Sequence, residues 1–546
     1  MVMRTLSSPI LWLLIMSMAA CTPNQTPSEY RGGWAGTIQE SNPFSFSIDL
    51  ELNATDPWVR FTGKDTVTIL PLQAEDSKYL VARFEDQLTF RLDTNGGNLT
   101  AFVHAGHHLS HLPLEPTGPN AWSGHWDLLI EGTTTSPTLY LSMDSLGQDQ
   151  YGVSTFFKEP SYHYMWINDF LLQEDRFLSF REIRSNIQFS GELKESRIDL
   201  TLQFLLEKTD VAMQRMPYDE WDIGGYATTA RERPPEQPFA DLIRAVENDT
   251  LERTHAVVIA QGGEVILEEY FDNFLSSTPH DTRSMSKSFA STALGLAIED
   301  GLISSENELM MDYFSEGYPE VDWSEGKDRI TLHHLLSMTS GLDGNEGHYQ
   351  NQEDWTAAVL NSEMMHAPGD TGRYRSGNPH LIGPILTSVL ENERLEFYLH
   401  RRLFGPLGIT NYRLQTSHED VPYFGGGWFF TPMDLVKFGQ LYLNQGQTQA
   451  ERLLPKAWVE KSFLQYNRLE GTKDNNAYGY LFWHYTYPVK GKGIVSIEGR
   501  GAGGQYLFII PELDMVAAIT SGNYRNGKIF QPERIMEEFI LPKLVK

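Results

Sequence analysis

Thr282-Arg283-Ser284-Met285-Ser286-Lys287-Ser288-Phe289-Ala290-Ser291-Thr292-Ala293-Leu294-Gly295-Leu296-Ala297 decides the reading of this chain. The residues after Lys287 are small and apolar, and they predict a buried helix. On such a helix Ser284 and Lys287, three residues apart, share a face within hydrogen-bonding reach. A serine hydroxyl is a weak nucleophile until a neighbour takes its proton, and a buried amine kept neutral is such a neighbour. Ser284 then stands at the helix N-terminus, where free backbone N–H groups favour developing negative charge. A second Ser-x-x-Lys, Ser324-Glu325-Gly326-Lys327, lies in a Gly- and acid-rich segment and reads as loop. The bland alternative for Ser284 is an N-cap serine followed by a solvated lysine, and one short motif does not separate the two.

Upstream, residues 30–213 read as an all-β domain, a sandwich or barrel. Phe44-Ser45-Phe46-Ser47-Ile48-Asp49-Leu50-Glu51-Leu52 alternates apolar and polar at period two. Thr138 to Met143 is a shorter β-prone run, and Asn95-Gly96-Gly97-Asn98 supplies turn chemistry. His104, His107, His108 and His111, with His125 further on, are chemically able to bind Zn or Cu. No Cys or nearby carboxylate completes a recognisable site, so no metal is assigned. Residues 214–237, with Arg231-Glu232-Arg233-Pro234-Pro235-Glu236-Gln237-Pro238 at their end, read as a linker. Beyond it, Phe239 to Val246 has helical spacing, and His255–Ala260 and Val265–Tyr270 flank Gly262-Gly263 as a hairpin. Residues 238–546 are therefore expected to form a mixed α and β domain.

At 546 residues the chain exceeds one ordinary core, which also argues for several domains. The 29 Phe, 24 Tyr and 12 Trp make it globular, and a net charge of −29 argues against nucleic acid as a partner. Residues 1–20 read as an export signal: Arg4, then the apolar run Ile10–Ala20, too short to span a bilayer. The run ends in Met18-Ala19-Ala20-Cys21, which resembles a bacterial lipoprotein signal, with Met18 in place of the usual Leu. An ordinary secretory signal is the alternative. The resemblance implies a mature chain beginning at a lipidated Cys21, with residues 21–29 as a flexible tether. Thr22 after the cysteine is similar to the outer-membrane sorting pattern. Cys21 is the only cysteine, so no intramolecular disulfide exists.

From about residue 238 the chain resembles the serine β-lactamase-like hydrolases, a family that includes class C β-lactamases, D-alanyl-D-alanine carboxypeptidases, lactamase-fold esterases and nylon-oligomer hydrolases. Ser284-Met285-Ser286-Lys287 matches the first motif, and Ile330–Leu342 is very similar to the segment that follows it. Tyr374-Arg375-Ser376 stands where the family has Tyr-x-Asn, or less often Tyr-x-Ser. Phe404–Ile409, Gly425-Gly426-Gly427-Trp428 and Thr431–Leu435 resemble later landmarks. Gly499-Arg500-Gly501-Ala502-Gly503-Gly504-Gln505 stands where the family has Lys-Thr-Gly or His-x-Gly. Matches in family order are far more specific than any one of them.

The resemblance implies an antiparallel sheet flanked by helices with a helical subdomain. It also implies Ser284 as acylated nucleophile, Lys287 and Tyr374 as general base and acid, and the N–H groups of Ser284 and Ala502 as oxyanion hole. A phenol titrates near about pH 10, so Tyr374 needs an ammonium such as Lys287 beside it to act as a base. Gly501 and its neighbours are expected to bring the strand edge close to substrate. Ser376 replaces the usual Asn, with Asn378 as a possible stand-in, and Arg500 flanks the third motif without Lys or His at Gly499. Both departures bear against β-lactam hydrolysis and penicillin binding. The expected activity is a serine hydrolase acting on an ester or amide of a small molecule or peptide, without cofactor. A β-lactamase or D,D-peptidase is the first alternative, and a non-catalytic envelope binding protein the second. His333 and His334 are expected to be scaffold, and no G-x-S-x-G elbow is present.

Overall fold

The computed structural model describes residues 31–221 and 238–546, apart from short segments at 41, 54, 95–98, 130–137, 148–149, 158–166, 173–175, 272–273, 325, 351, 473–475 and 525. Cys21, the export segment, the tether, Asn95–Asn98 and the Pro-rich boundary stretch lie outside the described residues. Among the described residues the chain is all-strand up to Arg215 and mixed α and β from Ala240 onward.

Period-two alternation builds the first part as expected. In the strand Ser45–Glu51, Phe46, Ile48 and Leu50 are buried, while Asp49 on the other face pairs with Arg60 of the next strand at 2.7 Å. The buried face joins Phe61, Trp126 and Phe204, whose rings meet Phe46 at 5.8–6.4 Å. Two antiparallel sheets, of eight and five strands, share this core.

A third sheet is the feature that the linear pattern did not disclose. It runs through Tyr79–Phe84, Leu88–Asp93, Thr100–Ala105 and His108–Leu112, then continues into Arg413–Gln415, Phe429–Phe430 and His280–Asp281. Leu414 pairs with Leu109, Arg413 with both Ser110 and Phe429, and Asp281 with Phe429. Strands from both ends of the chain thus form one ladder that finishes three residues before Ser284.

The fourth sheet has seven antiparallel strands, with the helices Pro432–Leu443 and Ser286–Glu299 packed against it, and the helices between Met311 and Leu399 cluster around Gly377–Val389. The hairpin Thr254–Gln261 and Glu264–Tyr270 turns through Gly262 and Gly263, both at positive φ, as a two-residue turn requires. The helix Ala240–Glu247 buries Leu242, Ile243 and Val246, each contributing about 1.5–3 kcal/mol on leaving water. The helix Ser286–Glu299 is buried from Ser286 to Ala297, as its small and apolar composition requires. Gly295 lets it lie against the Trp458 ring, 2.4 Å from where a Cβ would stand.

Candidate active site

Ser284 sits in a single 3-10 turn, Arg283–Met285, that leads directly into the helix Ser286–Glu299. Arg283 adopts φ +51, a left-handed conformation that is uncommon for a residue with a side chain. Its amide donates to Asp281 Oδ1 at 2.9 Å, and the amide and hydroxyl of Thr282 donate to the Trp428 carbonyl at 2.8 and 2.7 Å. The turn that carries Ser284 is therefore tied on both sides before the helix begins.

Lys287 is buried, and its Nζ donates to Ser284 Oγ at 2.9 Å and to the Gly425 carbonyl. Tyr374 covers the amine, with its ring centroid 5.1 Å from Nζ. The Tyr374 ring is itself stacked on Trp483 at 5.5 Å and meets Tyr478 edge-on at 6.3 Å. Ser284 and Tyr374 line one cleft of about 360 Å³, and the buried Lys287 amine touches both of them. The cleft wall includes Trp483, Arg500, Ala502, Tyr506 and Phe530.

Gly501 owes its identity to the nucleophile turn. A Cβ there would stand 2.1 Å from the Thr282 carbonyl oxygen, and one at Gly499 would stand 2.8 Å from Met285 Cγ. That close approach is to the backbone that carries Ser284, and Gly501 also lines the cleft. Gly503 and Gly504, at φ +81 and +86, make the turn between the strands Lys492–Gly501 and Gln505–Ile510.

Two further expectations change. Asn378 is buried, accepts from Ser340 Oγ at 2.8 Å and is not part of the cleft wall, so it does not stand in for the missing Asn. Ser376, at the start of the helix Gly377–Val389, is likewise buried and absent from that wall. Arg500 does reach the cleft, but its charge is already engaged. It pairs with Glu498 at 2.6 Å and Glu533 at 3.1 Å, among the rings of Trp483, Tyr485 and Tyr506. Burial opposes its charge, yet Glu498, Tyr506 and Glu533 hold the guanidinium above its ordinary range. Burial in turn pushes the Glu498 carboxyl up, against the pull of Arg500.

The other sequence candidates are structural. His334 closes a capping box with Thr331, and His333 Nδ1 lies 3.0 Å from the Tyr480 hydroxyl. Lys327 of the second Ser-x-x-Lys donates to the Leu360 carbonyl at 2.8 Å. The histidine run faces separate partners: His104 the Thr416 hydroxyl, His107 the Ser417 carbonyl, His111 the Thr410 carbonyl, His108 the edge of Phe429. His125 lies 3.1 Å from Asp127. Among the described residues no group of three His, Cys, Asp or Glu is arranged to hold a metal ion. Sequence reasoning missed the Gly425 carbonyl, the Asp281 carboxylate and the aromatic wall; the glycine run before Trp428 was the only local signal for any of them.

The family described as Beta-lactamase matches residues 239–534. The 6-aminohexanoate-dimer hydrolase of Paenarthrobacter ureafaciens is 24% identical over 349 residues, covering 57% of this chain and 87% of that protein. Among solved structures, a family VIII carboxylesterase aligns at 16% identity and TM-score 0.43, over 54% of this chain and 93% of that one. A D-stereospecific amidohydrolase from Streptomyces sp. aligns at 16% identity and TM-score 0.43, over 55% of this chain and 98% of that one. The family match takes in more than half of the 546 residues and every described wall of the cleft named above, so the chain belongs to the serine beta-lactamase-like hydrolase family.

Proposed function

We propose that this hydrolase cleaves an ester or amide through an acyl-enzyme on Ser284. The contact of Lys287 Nζ with Ser284 Oγ at 2.9 Å is the observation that carries the reading. In its neutral form the amine keeps one N–H on the Gly425 carbonyl and turns its lone pair to the Ser284 hydroxyl. The Ser284 oxygen attacks the substrate carbonyl carbon as its proton passes to Lys287. The N–H groups of Ser284 and Ala502 receive the negative charge on the carbonyl oxygen. The leaving group takes a proton from Lys287 or Tyr374, and water then cleaves the acyl ester by the same proton path in reverse.

Arg500 favours an uncharged, partly apolar substrate over one anchored by a carboxylate. Its two ion pairs leave it poorly disposed to bind a third carboxylate, and the aromatic wall suits an acyl or alkyl group. For location, the lipoprotein-like start supports a bacterial envelope enzyme held by lipid at Cys21, at the outer membrane and facing the periplasm. The test is labelling by a fluorophosphonate probe: the wild type takes the label and Ser284→Ala does not. Equal labelling of the two removes Ser284 from the mechanism. Acylation of the wild type, but not Ser284→Ala, by a fluorescent penicillin moves the reading to the β-lactam-active members.

A further inference from the structure

We propose that the N-terminal β-region is part of the catalytic unit, and that Arg184, 100 residues upstream of Ser284, is a positioning residue for the nucleophile. The inference rests on Ser284 being the acylated residue. Arg184 lies in the turn between the strands Phe177–Glu182 and Gln188–Leu193. Glu182 fixes that turn from below, accepting from the Arg184 amide at 2.8 Å, the Ser185 amide at 2.7 Å and the Ser185 hydroxyl at 2.5 Å. The hairpin at Gly106 presses on it from the other side. The His107 amide donates to the Ile183 and Arg184 carbonyls at 3.1 and 3.0 Å, and a Cβ on Gly106 would stand 2.3 Å from the Ile183 oxygen.

A turn held in this way has little freedom, and it aims a buried guanidinium across the sheet. Arg184 donates to Gln415 Oε1 at 3.4 Å and stands 3.6 Å from Asp281 Oδ2. Asp281 hydrogen-bonds the Ser284 turn through one carboxylate oxygen and meets the two guanidinium groups at ion-pair distance through the other. Oδ1 accepts from the Arg283 amide at 2.9 Å, and Oδ2 lies 3.2 Å from Arg283 Nε. The Arg283 guanidinium also lies over the Tyr524 ring at 5.3 Å. Asp281 is thus a buried carboxylate between two arginines, one from each part of the chain, and it holds the residue at φ +51 next to Ser284.

A left-handed residue of this kind persists only where its surroundings over-determine it. Without Arg184, Asp281 keeps one cation instead of two, and the balance that holds its carboxylate between them is lost, which favours a shift toward Arg283. Any such shift acts through the Arg283 amide on the Ser284 backbone, where an error of about 1 Å costs on the order of 100-fold in rate. The ladder from His108–Leu112 through Arg413–Gln415 and Phe429–Phe430 to His280–Asp281 is the rigid frame that carries the contact.

The experiment compares wild type, Arg184→Gln, Asp281→Asn and the double variant, as full chains, on an ester substrate. Active sites are counted by fluorophosphonate titration, so that kcat refers to competent molecules only. Arg184→Gln should lower kcat per titrated site about 10-fold to 100-fold with KM changed less than about 2-fold. Asp281→Asn keeps the Arg283 amide bond and should fall in the same range, and the double variant should cost little more than either single change. A role confined to folding lowers the number of titrated sites and leaves kcat per site unchanged. Wild-type kcat per site in either single variant overturns the inference, and Asp281→Asn decides alone if Arg184→Gln does not fold. A wild-type protein that takes no label overturns the assignment of Ser284 and the inference with it.

Discussion

Lys287 has an acceptor on one side and a hydroxyl on the other, and that asymmetry gives it a direction. The Gly425 carbonyl can only accept, so it fixes one N–H and leaves the Ser284 side for proton exchange. On the proposed mechanism, replacing Lys287 by Met, or Tyr374 by Phe, removes a proton carrier while keeping most of the volume. Each is expected to lower kcat by about 100-fold to 10,000-fold with the fold retained, read from turnover and circular dichroism of purified protein. Wild-type turnover in Tyr374→Phe leaves Lys287 as the sole acid–base group. Gly501→Ala is a different kind of change, because its methyl meets backbone. With the Thr282 oxygen 2.1 Å away, either the strand or the nucleophile turn must yield. The expected result is about 100-fold lower kcat and about 1–3 kcal/mol lower stability by urea unfolding. Wild-type values for both would show that the turn is not held by that contact.

The strand His108–Leu112 and the helix Ser286–Glu299 show what one sequence can and cannot disclose. The helix was legible because composition and spacing are local: small residues bury, and Ser284 and Lys287 meet at one turn. The Tyr374 position and the third motif followed from order along the chain. The histidine run was legible only as part of an all-β region. Its partner, Arg413–Gln415, has three residues, and nothing in a three-residue run states which distant edge it meets. The same is true of Asn378: its type suggested a substrate contact, while burial against Ser340 is a tertiary fact. The junction has a consequence for acid stability. Burial lowers His104, His107 and His400 to about 4, and burial with the neighbouring His400 lowers His111 to about 3. His111 stacks on His400 at 4.1 Å and Tyr412 at 5.2 Å, and His107 meets His418 at 4.5 Å. In the unfolded chain these groups titrate near about 6.5, so between that pH and about 4 the unfolded state binds more protons than the native one. Their contribution to stability is present above about pH 6.5 and is lost as the pH falls toward 4. Urea midpoints should decline over that interval; a flat profile would mean that these histidines take up protons without loss of structure.

At the scale of the whole molecule, one sheet runs from the β-region to the strand His280–Asp281, three residues before Ser284, so the two parts of the sequence share a sheet beside the proposed site. What lies before residue 31 bears on where that site works. If Cys21 is lipidated, stable anchoring requires more than one acyl chain, and the tether then lets an acidic enzyme act near the membrane. Cys21→Ser should move the protein to the soluble fraction or leave it unprocessed. A Cys21→Ser protein that is cleaved normally and still sediments with membranes would exclude this anchor. The central claim is chemical and is tested most directly by stopping turnover of an ester in acid and mapping the acyl group by mass spectrometry. The acyl mass is expected on the peptide containing Ser284 and absent in Ser284→Ala. An acyl group on another residue, or undiminished turnover in Ser284→Ala, would contradict it.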